Sequence, residues 1–240
     1  IDRSRGLGDV YKRQVTDGSS YHLLPSAKDY KRIGEGDTGP NTGGMGAISP
    51  VPFLSEEFKQ KALNQVIIPT IKGLGKEGIS YKGVIFFGLI KVGSDPYVIE
   101  YNCRLGDPET EVVLPRLKSD LLHLFESLCC GLLSEYDLVT DERAATTVIL
   151  ASEGYPGSYE KGREVRGLDE VADIDGMVFH AGTKTSRRKI VTNGGRVAAL
   201  TGRGSDVEEA LKNSYKLAEK VTFEGAYHRT DIGADVLNLA

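Results

Sequence analysis

Three short stretches carry residue types that chemistry could use. In Tyr97-Val98-Ile99-Glu100-Tyr101-Asn102 the period of two predicts a strand with Val98, Glu100 and Asn102 on one face and Tyr97, Ile99 and Tyr101 on the other. A carboxylate and an amide oxygen two residues apart are hard donors of the kind Mg²⁺ takes, one or two from protein and the rest from water and phosphate. The plainer reading of the same pair is a solvated strand face. Directly after it, Arg104-Leu105-Gly106-Asp107-Pro108-Glu109-Thr110-Glu111 places acids around a rigid Gly/Pro turn, beside an arginine able to fork onto a phosphate or carboxylate. Read structurally, it is a polar loop feeding a helix, with Glu109 and Glu111 favouring the helix amino terminus.

The third stretch is Asp37-Thr38-Gly39-Pro40-Asn41-Thr42-Gly43-Gly44-Met45-Gly46. Glycine-rich backbone can turn its N–H groups inward as an anion nest, and Thr38, Asn41 and Thr42 add side-chain hydrogen bonds. Lys28, Lys31 and Arg32 stand just upstream. The loop has neither the Gly-Lys-Thr/Ser of a Walker loop nor a dinucleotide fingerprint, so any anion would be held in another way. A mobile cluster of turns is the alternative. Elsewhere the bland readings prevail. His123 reads as a core or interface histidine, His180 as the end of a strand, and Cys129-Cys130 as small apolar filler of a Leu-rich helix. No Cys/His spacing suggests zinc, and no local motif supports a nucleophilic triad.

The elements that must position these stretches are legible from periodicity. Val15-Thr16-Asp17-Gly18 ends a strand in a turn, and residues 37–52 read as loop. Ser55 opens a helix with Phe58, Ala62 and Val66 at helical spacing, which Pro69 should bend or end. Gly83 to Val92 is an apolar run of strand length, and Gly93-Ser94-Asp95-Pro96 turns it back into Tyr97 to Asn102 as a hairpin. Leu114, Leu117, Leu121, Leu124, Phe125 and Leu128 mark helical faces, broken at Pro115 and restarted with Ser119 as the cap. Thr146 to Ala151, Gly176 to His180 and Arg196 to Thr201 read as strands. Ser205-Asp206-Val207-Glu208 reads as a capping box ahead of an amphipathic helix. The mixture is α/β (α+β).

The chain has 240 residues, with 40% hydrophobic and 27% charged, a composition that excludes general disorder. Lys plus Arg is 30 against 34 for Asp plus Glu, a net charge of -4, so nucleic acid is not the expected partner. No apolar run reaches membrane-spanning length. Three cysteines make no disulfide framework and fit a reducing cytoplasm. Residues 1–14 lack an apolar period and resemble translated read-through, so they are set aside from the fold. The expected division is residues 15–142 and 143–240, and the abrupt start at Val15 suggests a larger protein that has lost its front.

Taken in series, Asp37 to Ala47, Glu100-Tyr101-Asn102 and Arg104 to Val112 resemble the glycinamide ribonucleotide synthetase family of purine synthesis. Gly154-Tyr155-Pro156-Gly157, Val178 to Thr183, Val191 to Val197 and Arg229 to Gly233 extend the resemblance across the second half. It implies the second half of an ATP-grasp domain followed by a small β-rich carboxy-terminal domain. It also implies that glycine's carboxylate is activated by ATP as an acyl phosphate, which the amine of 5-phosphoribosylamine attacks. Carried over by position, Glu100 and Asn102 would bind Mg²⁺ (or Mn²⁺). Lys31, Arg32, Asp37, Thr38, Gly39, Pro40, Asn41, Thr42, Gly43, Gly44, Arg104 and Asp107 would bind glycine and 5-phosphoribosylamine, with Asp37, Arg104 and Asp107 nearest the chemistry. The full-length enzyme would be a cytoplasmic monomer.

Three departures stand out. The family's amino-terminal substrate domain, its adenine site and its phosphate-gripping lysines have no counterpart here, which implies a fragment inactive alone. Val84 to Val92 offers no carboxylate as a further metal ligand. Tyr30 stands where the family commonly has a histidine. The alternatives are another ATP-grasp carboxylate–amine ligase or carboxylase, or an inert nucleotide-binding module.

Overall fold

The computed structural model describes residues 9–237, with side chains from residue 14 onward. In chain order the elements are β1 (Asp9–Thr16), β2 (Tyr21–Leu23), β3 (Lys28–Asp29), β4 (Arg32–Gly34), β5 (Thr38–Asn41), β6 (Gly46–Ser49), α1 (Glu56–Ala62), α2 (Ile68–Lys76), β7 (Gly83–Val92) and β8 (Asp95–Asn102). Then follow α3 (Thr110–Val113), α4 (Leu121–Cys130), β9 (Ala144–Ser152), β10 (Gly176–His180), β11 (Thr183–Ser186), β12 (Lys189–Thr192), β13 (Arg196–Gly204), α5 (Val207–Lys220), β14 (Ala226–Tyr227) and α6 (Ala234–Leu237). They form two compact units, both discontinuous in sequence. The first comprises the described residues up to Lys28 with Pro50–Gly106 and Arg116–Asp141; the second comprises Asp29–Ser49, Asp107–Pro115 and the described residues from Glu142.

The first unit is an antiparallel sheet in the order β2-β1-β7-β8. Of the segment set aside from the fold, residues 1–8 lie outside the described residues, whereas Asp9 to Gln14 belong to β1. They pair with β7 in register from Asp9–Ile90 onward. Strand pairing is carried by backbone groups, so a stretch without an apolar period can still join a ladder. One face of β7 presents Ile85, Phe87 and Leu89 to Ala62, Val66, Ile67 and Ile71. Ser55 caps α1 as expected, its Oγ accepting from the Phe58 N–H at 3.2 Å. Pro69 does not end the helix. A π-helical segment, Leu63–Ile67, widens the coil just before it, and the backbone stays helical through Ile67 and Ile68 into α2, which carries Pro69 in its first turn.

Farther along, the cap of α4 is Asp120, whose Oδ1 accepts from the His123 N–H at 3.0 Å. Ser119, the expected cap, instead accepts from the Val139 N–H. His123, Cys129 and Cys130 are exposed rather than core, because only Leu124 and Leu128 of this helix face inward.

The second unit is built on a sheet ordered β10-β13-β9-β6-β3, with β14 also pairing with β9. Its centre, β9, is buried along its whole length, which explains why Thr146 to Ala151 reads as an unbroken apolar-and-threonine run. Residues 46–49, expected as loop, form β6 inside this sheet, pairing from Gly46–Val148 to Ser49–Ala145. Three small residues and one isoleucine, all buried, show no alternation and give no strand signal. The helix α5 lies against β13 so closely that a Cβ on Gly202 would meet the Ala210 carbonyl oxygen at 2.3 Å. The buried Ser214 donates to the Thr146 carbonyl at 2.9 Å. The cap sits one residue later than expected: Asp206 accepts from the Glu209 N–H at 2.8 Å, and Glu209 accepts from the Ser205 N–H at 2.7 Å. Asp206→Ala should therefore destabilise this unit by about 1 kcal/mol, read as a lowered denaturation midpoint.

Candidate active site

The β7–β8 hairpin positions the first group of expected site residues. Pairing runs Phe86–Asn102, Phe87–Tyr101 and Gly88–Glu100, then shifts so that Leu89 faces Val98 and Ile90 faces Tyr97. The extra residue in β8 is a bulge, and beyond it the side-chain phase reverses. Glu100 and Asn102 do share one face, but with Tyr97. Val98 stands across from Leu89, on the face of the helix-packed core, which corrects the simple alternation. On that same face Tyr101 packs edge-on against Phe87, with ring centroids 5.3 Å apart.

Asn102 Nδ2 donates to Glu100 Oε1 at 3.2 Å, so the amide's own oxygen is not used in that bond. Two hard oxygen donors, half-buried to exposed on one strand face, fit a divalent cation that keeps most of its shell for other ligands. Among the described residues, no group of three or more His, Cys, Asp or Glu forms a rival site. Gly88 explains itself here: a Cβ would approach Glu100 Cγ to 2.8 Å. Gly88→Ala should leave the fold intact while displacing the Glu100 side chain. A divalent cation held by this pair should then bind roughly tenfold more weakly, as for other disturbances of a ligand's support, measured by Mg²⁺ titration of the protein. Arg104, in the same unit, is exposed and donates to the Leu105 carbonyl at 2.9 Å.

The Gly-rich segment lies in the second unit and is tied at both ends. At its start, Gly36 and Asp37 adopt left-handed backbone, with φ 63° and 54°. Asp37 Oδ1 accepts from Arg229 Nη1 at 2.8 Å. Arg229 is 1% exposed. It forks onto Asp231 through Nε and Nη2, both at 2.7 Å, and lies 5.4 Å from the Tyr30 ring centroid. Burial opposes its charge, but the bonds from Asp231 and Asp37 outweigh burial and hold it protonated. Asp231 in turn accepts from the Gly36 N–H at 2.8 Å. Tyr30, in the position where a histidine was the expectation, donates to Asp235 at 2.6 Å. Asp37 thus anchors the loop through Arg229.

Next come the exposed residues Thr38 to Asn41, which form β5. Arg32 Nη1 donates to the Gly39 carbonyl at 2.7 Å, and Lys31 pairs with Asp29 at 3.8 Å. The expected anion nest is not what the following N–H groups make. Thr42 donates to the Lys31 carbonyl at 2.7 Å and Met45 to the Tyr30 carbonyl at 2.7 Å. Gly43 donates to Tyr155 Oη at 3.0 Å and Gly44 to Thr42 Oγ1 at 2.9 Å. Every donor from 42 to 45 is committed within the unit.

At the far end of the loop, Arg196 Nη1 donates to the carbonyls of Gly43 at 3.0 Å and Gly44 at 3.3 Å. Its Nη2 donates to Asp107 Oδ2 at 2.6 Å. Gly44 is sterically required, and Gly43 leaves the space that the guanidinium occupies. A Cβ on Gly43 would lie 2.8 Å from Arg196 Cζ, and one on Gly44 would lie 2.3 Å from Pro108 Cδ. Asp107 and the loop are thus both bonded to one residue, Arg196. Arg196, Arg229 and Tyr155 all stand in motifs quoted above, yet nothing in their local sequence gave them a role. The one available signal was an arginine immediately after Gly194-Gly195, and another two residues before Asp231. Close to Asp107, burial pushes the Glu111 carboxyl upward, and its Oε2 is buried without a hydrogen-bond partner.

Comparison with known proteins gives a consistent picture. Residues 9–110 match the family model described as phosphoribosylglycinamide synthetase, ATP-grasp (A) domain, and residues 145–235 match the C domain of the same family. The phosphoribosylamine–glycine ligase of Pseudomonas aeruginosa is 44% identical over 220 residues, covering 91% of this chain and 51% of that protein. The ligase of Halalkalibacterium halodurans is 48% identical over 220 residues, covering 92% and 51%. The crystal structure of phosphoribosylamine–glycine ligase from Thermotoga maritima superposes with a TM-score of 0.85 at 39% identity, covering 93% of this chain and 55% of that one. Urea carboxylase of Kluyveromyces lactis, at 14% identity and a TM-score of 0.64, shares the fold alone. The chain spans about half the length of the curated relatives it matches.

Proposed function

Because this chain belongs to the phosphoribosylglycinamide synthetase family, we propose that it supplies part of the machinery by which an ATP-dependent carbon–nitrogen ligase joins glycine to 5-phosphoribosylamine. ATP activates the glycine carboxylate as glycyl phosphate. The amine then displaces phosphate, giving glycinamide ribonucleotide, ADP and phosphate, a step of purine biosynthesis. The observation that carries the reading is the Glu100–Asn102 pair on one face of β8, bonded at 3.2 Å and kept clear of a neighbouring side chain by Gly88. Mg²⁺ (or Mn²⁺) held there would neutralise charge developing on the transferred phosphoryl group.

The remaining roles concern orientation rather than covalent chemistry, as phosphoryl transfer requires. In the second unit, Asp107 and the exposed part of the loop from Thr38 to Asn41 are read as binding the small substrates; Arg104, in the first unit, is read as a substrate-binding residue as well. Lys31 and Arg32 supply positive charge at the loop's base, and Asp37, Thr42, Gly43 and Gly44 shape it. Three exposed free thiols, Cys103, Cys129 and Cys130, support a reducing, cytoplasmic setting, and the full-length enzyme is read as a monomer. Among the described residues no helix is long and apolar enough to cross a membrane.

The full-length enzyme containing this chain should release ADP only when glycine and freshly made 5-phosphoribosylamine are both present. ADP release driven by bicarbonate, and indifferent to glycine, would replace this reading with that of a carboxylase.

A further inference from the structure

We infer that Arg196 is a positioning residue of the ligation site, fixing Asp107 and the Gly43–Gly44 turn as one rigid surface for the small substrates; this rests on the function proposed above. The guanidinium makes three directed bonds at once, to Asp107 Oδ2 and to the carbonyls of Gly43 and Gly44. A planar fork can do this and a point charge cannot. It also lies against the Cα of Gly43, in the space a side chain would need. Tyr155 holds the other backbone polar group of the same residue, its hydroxyl accepting from the Gly43 N–H at 3.0 Å, with its ring where a Cβ of Gly195 would be. Two residues of the carboxy-terminal part thus grip one glycine of the loop, by its carbonyl and by its N–H.

The asymmetry of the ion pair speaks for orientation rather than stability. The Arg196 side chain is 19% exposed and that of Asp107 is 55% exposed. A pair with one half-open partner contributes little to stability. It does fix where the carboxylate points. The anchor is covered and the carboxylate is presented.

The test uses the full-length enzyme and separates substrates. In Arg196→Gln, kcat/KM for glycine and 5-phosphoribosylamine should fall roughly 100-fold, the cost of misplacing a bound group by about an ångström. KM for ATP should stay within about twofold of its original value. Arg196→Lys should recover part of the loss, since an ammonium can hold Asp107 but not all three acceptors. Free guanidinium ion should partly rescue Arg196→Ala. Gly43→Ala, which displaces the guanidinium without removing it, should reproduce the Arg196→Gln pattern and serves as the second variant should Arg196→Gln fail to fold. Equal losses for all three substrates, or losses untouched by lysine and guanidinium, would reduce Arg196 to a structural residue and overturn the inference. So would unchanged kinetics. If the unaltered enzyme shows no glycine-dependent ADP release, the functional reading fails. That outcome is separate, because it appears before any variant is made.

Discussion

Replacing Arg229 with methionine should destabilise the second unit by about 3 kcal/mol, the largest single effect expected in this half of the protein. Removing one member of a buried ion pair generally costs about 3–5 kcal/mol, because the partner is left charged and unsolvated. Here the cost falls at the low end of that range. The Asp231 side chain is 25% exposed and that of Asp37 is 62% exposed, so both can recover water. Three bonds to carboxylates, one to the Arg32 carbonyl at 3.1 Å and the contact with Tyr30 are lost together. The pH dependence should change as well. Burial raises the Asp231 carboxyl, but bonds from Arg229 and the Gly36 N–H outweigh it and hold the group below its ordinary value. A depressed carboxylate contributes stability at neutral pH that disappears as pH falls through the depressed value. The variant should therefore lose less stability on acidification than the parent. Denaturant titrations at neutral and acid pH check both statements, and an unaltered midpoint at neutral pH would contradict the anchoring role given to Arg229.

The second large effect concerns catalysis. Glu100→Gln in the full-length enzyme should lower kcat by roughly 100-fold or more, since a charged metal ligand can contribute several kcal/mol at the transition state. Glu100 is exposed on an outward strand face, so the fold should be unaffected and the melting temperature nearly unchanged. Excess Mg²⁺ should restore only part of the rate. Full activity at ordinary Mg²⁺ would overturn the proposed role of Glu100 as a metal ligand.

Much of this was legible without coordinates. The hairpin from Gly83 to Asn102 announced itself through an apolar run, a Gly-Ser turn and a returning strand. The α5 face from Val207 to Val221 followed from helical spacing alone. What escaped had physical causes. A bulge leaves no mark in hydrophobicity, so the phase reversal that separates Val98 from Glu100 could not be read. The strand β6 is made of Gly, Ala, Ile and Ser, four residues buried on both faces, too short a run and with too few polar positions to alternate. The division into units was obscured because Asp29–Ser49 and Asp107–Pro115 cluster with residues far later in the chain. Composition could find the Gly-rich loop and its acids. It could not find the links from Arg196 to Asp107 and from Arg229 to Asp37, which span 89 and 192 residues.

The commitment of the N–H groups from Thr42 to Met45 bears on the thermodynamics of binding. Glycine-rich chain loses more conformational freedom on ordering than any other kind. Left loose, this segment would add that loss to every association event, and part of any ligand's contact energy would go into stiffening the loop. With its amides already bonded to Lys31, Tyr155, Thr42 and Tyr30, the loss is incurred once, when the unit folds. Association at this part of the surface should then show a small unfavourable entropy and a heat-capacity change no larger than the ligand's own burial requires.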